Sequence, residues 1–220
     1  MIDGVTINGK HCWNDFKLLL AQKEIGTPEV NTNMVEVPGR NGLLDLSTAL
    51  TGEITYQNRK ITLTFVTQDS LTGAGWASLY SSVAQAFYGQ SVSIVFDDYS
   101  DYSYSGRCTD MNFKLSNGKR TIELTFDCDP FATKVEATTI YRTLSTSQVS
   151  VTLTNNGRPV VPTITVESST TLIFGSYTTT LSAGTWTVPS IRLANGENTI
   201  KAKATDGSGK VTFTWNEVTL

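Results

Sequence analysis

The residues with the clearest catalytic potential are a histidine and a cysteine that are neighbours in the sequence. His11 is the only histidine of the 220-residue chain, and Cys12 follows it in NGKHCWND. A histidine can activate a thiol as a nucleophile when the two side chains meet. Neighbouring residues of a strand point to opposite faces, so this pair is poorly placed for that chemistry. His11 is therefore predicted to be a non-catalytic surface or interface residue.

A cluster of acids in FDDYSDYSYSGR offers the oxygen ligands that calcium prefers. Asp97, Asp98 and Asp101 do not follow the spacing of an EF-hand, and no closing glutamate stands at the right distance. The segment is instead interpreted as a solvated hairpin tip. Its aromatic edge is formed by Tyr99, Tyr102 and Tyr104.

Two further acids, Asp127 and Asp129, flank Cys128 on one side of a predicted strand. A carboxylate pair can perform acid–base catalysis, but Pro130 follows at once and marks the strand end, which favours a turn or cap role. The glycines form neither of the two common phosphate-binding loops. No catalytic residues, cofactor site or metal site are predicted.

Aromatic side chains near the C-terminus raise the possibility of sugar binding, because an aromatic face suits the apolar face of a sugar ring. The candidates are Tyr177, Trp186 and Trp215. They alternate in phase with apolar positions, so Trp186 and Trp215 are predicted to pack in a core.

The composition excludes several classes of protein. Charged residues make up 17% of the chain and the net charge is −3, which gives no basis for nucleic-acid binding. No apolar run is long enough to span a membrane. The N-terminus MIDGVTINGK lacks the basic region and apolar run of a secretory signal, so synthesis in the cytoplasm without secretion is expected.

The three cysteines are Cys12, Cys108 and Cys128. An odd number in a chain without a signal peptide argues against a disulfide framework, and the spacing matches no zinc site. They are predicted to be reduced, mostly buried thiols.

Alternation of apolar and polar residues predicts many half-buried strands. Examples are Ile61-Leu63-Phe65, Val92-Ile94-Phe96, Ile122-Leu124-Phe126, Val149-Val151-Leu153, Ile191-Leu193 and Val211-Phe213-Trp215. Turn signals separate them at Asn41-Gly42, Asn117-Gly118, Asn156-Gly157, Asn195-Gly196 and Asp206-Gly207.

One segment has helical spacing. Apolar residues from Trp76 to Phe87 recur at i, i+3, i+4, i+7 and i+11, which predicts a single amphipathic helix over residues 74–88 that Gly89 ends. Residues 14–20 are compatible with a short helix or a strand.

The composition changes near residue 130, where the chain becomes rich in threonine and poor in acids. The chain is therefore predicted to be mainly β and to have two domains. Residues 1–132 form a β-sandwich-like domain with one helix, and residues 133–220 form a small antiparallel β-sandwich.

Several segments, in order, resemble the distal tail protein (Dit) family of long-tailed, siphovirus-type bacteriophages. The segments are VPGRNGLLDLSTALTGEITYQNRKITLTF, WASLYSSVAQAFYGQ, VSIVFDDYSDYSYSGRC, IELTFDCDPFA, NNGRPVVPTITVESS and LANGENTIKAKATDGSGKVTFTWNE. No single motif is highly specific; their order and coverage of most of the chain carry the resemblance.

The resemblance implies a structural, non-enzymatic virion protein at the tip of a phage or prophage-derived tail. Six copies would form a ring hub through their N-terminal domains, and the C-terminal domain would be galectin-like or similar to a carbohydrate-binding module. The implied partners are the other subunits of a homo-hexamer, the major tail tube protein, and a tail-tip, tail-associated or receptor-binding protein. No inserted receptor-binding module is visible.

The turn-rich segment VPGRNGLLDLSTALTGEITYQNRKITLTF, residues 37–65, contains no catalytic group. It is a candidate inter-subunit element, since an extended segment can lie across a neighbouring sheet. The alternative interpretation is that its residues belong to a solvated hairpin. The candidate residues are Pro38, Gly39, Arg40, Gly42, Arg59 and Lys60. Two other functions stay open at this point: a carbohydrate-binding module for host adsorption, and a hydrolase that uses Asp97, Asp98, Asp127 or Asp129.

Overall fold

A computed structural model describes residues 4–49, 52–67, 71–116 and 119–220 of the chain. The chain divides into two compact units, residues 1–132 and 133–220. Most described residues lie in antiparallel strands, which confirms the mainly β prediction. The Asn117-Gly118 turn lies outside the described residues.

The N-terminal unit is organised around one antiparallel sheet with the strand order β2-β1-β7-β8-β9-β6-β3. A separate two-stranded sheet pairs β4 with β5. The elements are β1 (Val5–Ile7), β2 (Lys10–His11), α1 (Cys12–Phe16), β3 (Leu18–Ile25), β4 (Met34–Glu36), β5 (Leu43–Asp45), β6 (Arg59–Thr67), α2 (Gly73–Phe87), β7 (Ser91–Phe96), β8 (Tyr99–Ser116) and β9 (Lys119–Cys128).

The alternating residues of the central strands meet in register. In the pairing of β6 with β9, Ile61 lies opposite Phe126, and Leu63 lies opposite Leu124. Directly opposed residues of antiparallel strands share one face, and all four side chains are fully buried. The predicted core faces of these strands are therefore confirmed.

Helix α2 covers this core. Thr72 caps its N-terminus, where the Thr72 Oγ1 accepts a hydrogen bond from the Gly75 N–H at 3.2 Å. Trp76, Val83 and Phe87 are its buried residues. The helix spans Gly73–Phe87, which confirms the predicted 74–88 to within one residue. Neither this nor any other described helix is long and apolar enough to cross a membrane.

The segment for which the sequence allowed a helix or a strand contains parts of both. Helix α1 ends at Phe16, and Lys17 then adopts a left-handed backbone with φ of 57°. This residue breaks the helix, so that Leu18 begins β3 and is buried. Periodicity could not locate the change, because five residues are too few to show a helical period.

The C-terminal unit is a sandwich of two antiparallel four-stranded sheets with a shared apolar core. One sheet has the order β11-β18-β13-β16, the other the order β12-β17-β14-β15, and β10 pairs with β19. Strand β10 (Ala132–Lys134) begins at the last residue of the N-terminal unit. The other strands are β11 (Thr138–Ser145), β12 (Val149–Asn155), β13 (Thr163–Val166), β14 (Thr170–Phe174), β15 (Tyr177–Leu181), β16 (Gly184–Thr187), β17 (Gly196–Ala204), β18 (Ser208–Trp215) and β19 (Val218–Thr219).

One predicted strand of this unit is wrong. Ile191 and Leu193 alternate and are both fully buried, yet they lie outside the named strands. Only an isolated bridge joins Leu193 to Val160. The two side chains pack into the core from the segment that connects β16 and β17. Buried residues of such a segment can have the same alternating spacing as a strand.

A buried acid fixes the chain end in the C-terminal unit. The Glu217 Oε2 accepts a hydrogen bond from the Lys134 Nζ at 3.1 Å. Its Oε1 accepts from the Asn156 backbone N–H at 3.3 Å and from the Asn156 Nδ2 at 3.0 Å. Burial by itself raises the pKa of the Glu217 carboxyl, but these hydrogen bonds and the Lys134 charge outweigh it, so the pKa lies below its usual range.

A methyl group at Gly106 is expected to destabilise the N-terminal unit. A Cβ there would lie 2.5 Å from the Asp127 carbonyl oxygen and 2.6 Å from the Cys128 Cα, so the backbone of β9 would have to move. We expect Gly106→Ala to lower the free energy of unfolding by about 1–3 kcal/mol in a urea titration. Gly73→Ala is the control, since a Cβ at Gly73 meets no atom within 4 Å. Equal stability of the two variants would contradict the close strand packing at Gly106.

Loss of the Glu217 charge is expected to weaken the C-terminal unit in a pH-dependent way. Because folding lowers the pKa of Glu217, its stabilisation is present above the unfolded pKa of about 4.3 and is lost as the pH falls through the lower folded value. We expect Glu217→Gln to cost about 1–3 kcal/mol at pH 7 and progressively less towards pH 3, measured by thermal unfolding. The exposed Glu197→Gln is the control. A pH-independent cost would show that packing, not charge, is responsible.

Candidate inter-subunit surfaces

An arm projects from the N-terminal unit between β3 and β6. We define the arm as the described residues from Val30 to Tyr56. At its base, Val30 and Tyr56 form an isolated bridge, and the Tyr56 ring packs edge-on against Phe131 at a centroid distance of 5.5 Å. Beyond the base, β4 and β5 pair with each other and with no other described strand. The arm is thus a hairpin held mainly at its root.

The tip of the arm is a turn that its sequence specifies. Pro38 and Gly39 occupy the centre of a turn closed by a hydrogen bond from the Arg40 N–H to the Val37 carbonyl at 3.1 Å. Gly39 and Gly42 have φ of 81° and 78°, a region that glycine enters without steric cost. Pro38, Gly39, Arg40 and Gly42, the predicted candidates at this tip, are all exposed.

One face of the arm combines apolar and acidic side chains. Met34 lies opposite Asp45, and Glu36 lies opposite Leu43. Because opposed residues share a face, Met34 and Leu43 occupy one diagonal of this face and the two carboxylates occupy the other. Met34 is 47% exposed and Leu43 is 58% exposed.

Asp45 is also tied into the backbone beside it. Its Oδ1 accepts a hydrogen bond from the Ser47 N–H at 2.8 Å. Hydrogen bonds from the side chain and backbone of Ser47 lower the pKa of the Asp45 carboxyl. The Asp45 side chain thereby orders the backbone that follows β5.

A second uncovered surface is an apolar groove of about 430 Å³ between α2 and the end of the β8–β9 hairpin. We call it the groove. It is lined by Gly73, Trp76, Ala77, Tyr80, Phe113, Leu115 and Arg120. The Phe113 ring packs edge-on against Trp76 and Tyr80, with centroid distances of 5.5 and 5.9 Å. Phe113 and Leu115 nevertheless remain 45% and 65% exposed.

The other two predicted candidates, Arg59 and Lys60, begin β6 and point in opposite directions. Lys60 is exposed. Arg59 is 5% exposed, and its guanidinium lies 5.4 Å from the centre of the Tyr104 ring. Its side chain therefore packs within the subunit, which leaves Lys60 and the arm tip as the accessible candidates.

Of the possible catalytic pair His11 and Cys12, the histidine has a structural role. The His11 Nδ1 accepts a hydrogen bond from the Asn14 N–H at 3.2 Å and caps α1. The neutral ring then has its proton on Nε2, which lies 3.1 Å from the Asp97 carboxylate. A Cβ at Gly4 would collide with both the His11 and Asp97 side chains. His11 is thus occupied on both ring nitrogens and offers no free base to Cys12.

The cysteines are buried and free of disulfides, as predicted. Burial, followed by the nearby Asp15 and Asp97, raises the pKa of Cys12 to about 12. Burial and neighbouring acids likewise raise the pKa of Cys108 to about 11 and of Cys128 to about 12. None of these thiols is prepared to act as a thiolate nucleophile.

The acidic hairpin tip pairs with bases of its own unit. Asp97 contacts His11, and Asp98 forms an ion pair with Lys23, whose Nζ also lies 5.0 Å from the centre of the Phe96 ring. The rings of Tyr99 and Tyr102 stack at 4.8 Å, whereas Tyr104 is buried rather than part of an exposed edge. Among the described residues, no acid, histidine and cysteine side chains form a group that could hold a metal ion.

The C-terminal aromatics divide between core and surface. Trp215 is 3% exposed, as predicted. Trp186 is 40% exposed, so its predicted burial is wrong. Trp186 pairs with the buried Ile164 of β13. Its own strand, β16, is at the edge of the sheet, and no other described strand pairs with the outer side of β16. Alternation indicates the face of a side chain but not whether its strand is central or at an edge.

The fold can now be compared with known proteins. No protein-family model and no curated protein matches the chain. Its structure matches a solved structure described as "Crystal Structure of SPP1 Dit (gp 19.1) Protein, a Paradigm of Hub Adsorption Apparatus in Gram-positive Infecting Phages". The TM-score is 0.70 and the match covers 100% of both chains, at 16% sequence identity.

The chain has the fold of SPP1 Dit. The match extends over both units, so the Dit fold accounts for the N-terminal sheet with its helix and for the C-terminal sandwich. This agrees with the family resemblance seen in the sequence. The groove was not anticipated, because Trp76 and Phe113 are distant in sequence and only the packing of α2 on β8 brings them together.

Proposed function

We propose that this protein is a structural component of a phage tail and that six copies form a ring hub between the tail tube and the tail tip or baseplate. The observation that supports this most strongly is the match over the whole length of both chains to SPP1 Dit, which is described as a paradigm of the hub adsorption apparatus.

In the proposed ring, the arm makes contacts between subunits. A closed ring needs a head-to-tail interface in which two different surfaces of the subunit meet. The exposed tip of Pro38, Gly39, Arg40 and Gly42 provides one such surface, and the exposed Lys60 can add charge contacts that set the register. The partners of the hub outside the ring would be the major tail tube protein and a tail-tip, tail-associated or receptor-binding protein. The assembled protein would reside in the virion.

The mass of the particle in solution tests the proposal. A subunit weighs 24.0 kDa, so a hexamer weighs about 144 kDa. We expect light scattering to give that mass, and negative-stain images of the same peak to show a ring with a central hole. A uniform two-fold dimer with no ring at any concentration would contradict the proposal.

Distorting the arm tip should weaken the ring more than the fold. The double variant Gly39→Val, Gly42→Val places β-branched residues at φ of 81° and 78°, where strain of about 1–2 kcal/mol per residue is expected. No atom lies within 4 Å of a Cβ at either position, so the subunit core should be unaffected. We expect loss of the 144 kDa particle with little change in the thermal midpoint. A parallel loss of both would show that this turn is needed for the subunit to fold, and would contradict a role confined to the ring.

A second candidate function, sugar binding by the C-terminal unit, has one specific observation in its favour. Tyr141 is 65% exposed, with the Lys210 Nζ 4.9 Å from the centre of its ring, and Trp186 is 40% exposed. An exposed aromatic side chain can offer a ring face on which a sugar stacks. Retention of the protein on host cell-wall glycans, lost in Tyr141→Ala or Trp186→Ala, would support this function. Equal retention of all three proteins would exclude these aromatics as the binding site.

A further inference from the structure

The N-terminal unit leaves two apolar surfaces uncovered at the same time. Leu115 in the groove is 65% exposed, and Leu43 on the arm is 58% exposed. Both belong to one compact unit, so their exposure shows that the arm of a subunit does not cover the groove of the same subunit. Exposed apolar surface of this kind marks a site of interaction.

The two surfaces are complementary in charge as well as in polarity. The arm carries Glu36, Asp45 and Glu53 against the single base Arg40. The groove has one charged lining residue, Arg120, whose guanidinium lies 5.7 Å from the centre of the Trp76 ring. Within the part of the chain that the structure describes, Arg120 forms no ion pair with a carboxylate. The groove thus presents an apolar floor and an available cation.

The face of the arm has the matching pattern. Met34 and Leu43 form its apolar diagonal, and the carboxylates of Glu36 and Asp45 lie beside them. Cross-strand diagonal neighbours are about 7–8 Å apart, a spacing at which two apolar side chains can enter one groove while a neighbouring acid meets a cation at its rim.

We propose that the arm of one subunit binds in the groove of the next subunit, with Met34 and Leu43 against Trp76, Phe113 and Leu115, and an arm carboxylate against Arg120. The proposal rests on the proposed ring and identifies the contact that closes it. Arm and groove are different surfaces of one chain, so the contact is head-to-tail and repeats around a ring instead of ending at a dimer.

Filling the groove tests the contact. Gly73 lines the groove at the start of α2, and a Cβ there meets no atom within 4 Å. Gly73→Trp should therefore occupy the groove without disturbing the subunit. We expect the 144 kDa particle to be replaced by 24.0 kDa monomers with an unchanged thermal midpoint. Ser81→Trp, which adds the same side chain at an exposed position of α2 that does not line the groove, should retain the ring.

Cross-linking tests the same contact independently of ring stability. The double variant Leu43→Cys, Leu115→Cys is treated with a short bismaleimide, and the native cysteines do not react because they are buried. We expect a ladder of covalently linked chains on a denaturing gel, up to the hexamer. Leu43→Cys with Ser93→Cys, which places the second thiol at an exposed position of β7, is the matched control and should give no ladder.

The outcomes separate this inference from the proposed function. Suppose that the wild-type protein forms the ring. If Gly73→Trp also forms the ring, or if the Leu43→Cys, Leu115→Cys variant gives no ladder, the arm-in-groove contact is overturned and the hub proposal stays intact. A ladder in the Ser93→Cys control alone would place the arm elsewhere and also overturn it. If the wild-type protein is monomeric in solution, the cross-link at high protein concentration still decides the contact: a ladder supports it and single chains refute it.

Discussion

The closed apolar core of the N-terminal unit is the constraint on which the rest of the structure depends. The inward face of the large antiparallel sheet and the apolar face of α2 cover one another, as the full burial of Phe65, Phe87 and Phe126 shows. Met34 and Leu43 of the arm, and Phe113 and Leu115 of the groove, lie outside that core and remain exposed in the single subunit.

The N-terminal unit thus combines a closed core with uncovered apolar surfaces on the arm and in the groove. The potential reactive groups are occupied by structural tasks: His11 caps α1, Asp98 pairs with Lys23, and the three thiols are buried. The full-length match to SPP1 Dit shows that the chain shares its fold. The arm and groove then give the proposed ring a physical cause, because two complementary surfaces on one subunit favour repeated head-to-tail contact.

Sequence reasoning worked where a structural feature is local. Helix α2 and the faces of β6 and β9 follow from periodicity, and the turn signal at Asn41-Gly42 coincides with a positive φ at Gly42. It failed where the neighbours of a residue decide the outcome. Trp186 has the phase of a core residue but stands on an edge strand, and Ile191 is buried without belonging to a strand. The groove depends on α2 packing against the distant β8, and no local pattern encodes that contact.

The most direct test of the account is an electron cryomicroscopy reconstruction of the purified particle. The account predicts a six-fold ring in which each hairpin of β4 and β5 lies against α2 and the end of the β8–β9 hairpin of the adjacent subunit, with Leu43 buried next to Phe113. A ring in which the arms extend into solvent, or a particle with two-fold symmetry joined through the C-terminal units, would contradict it.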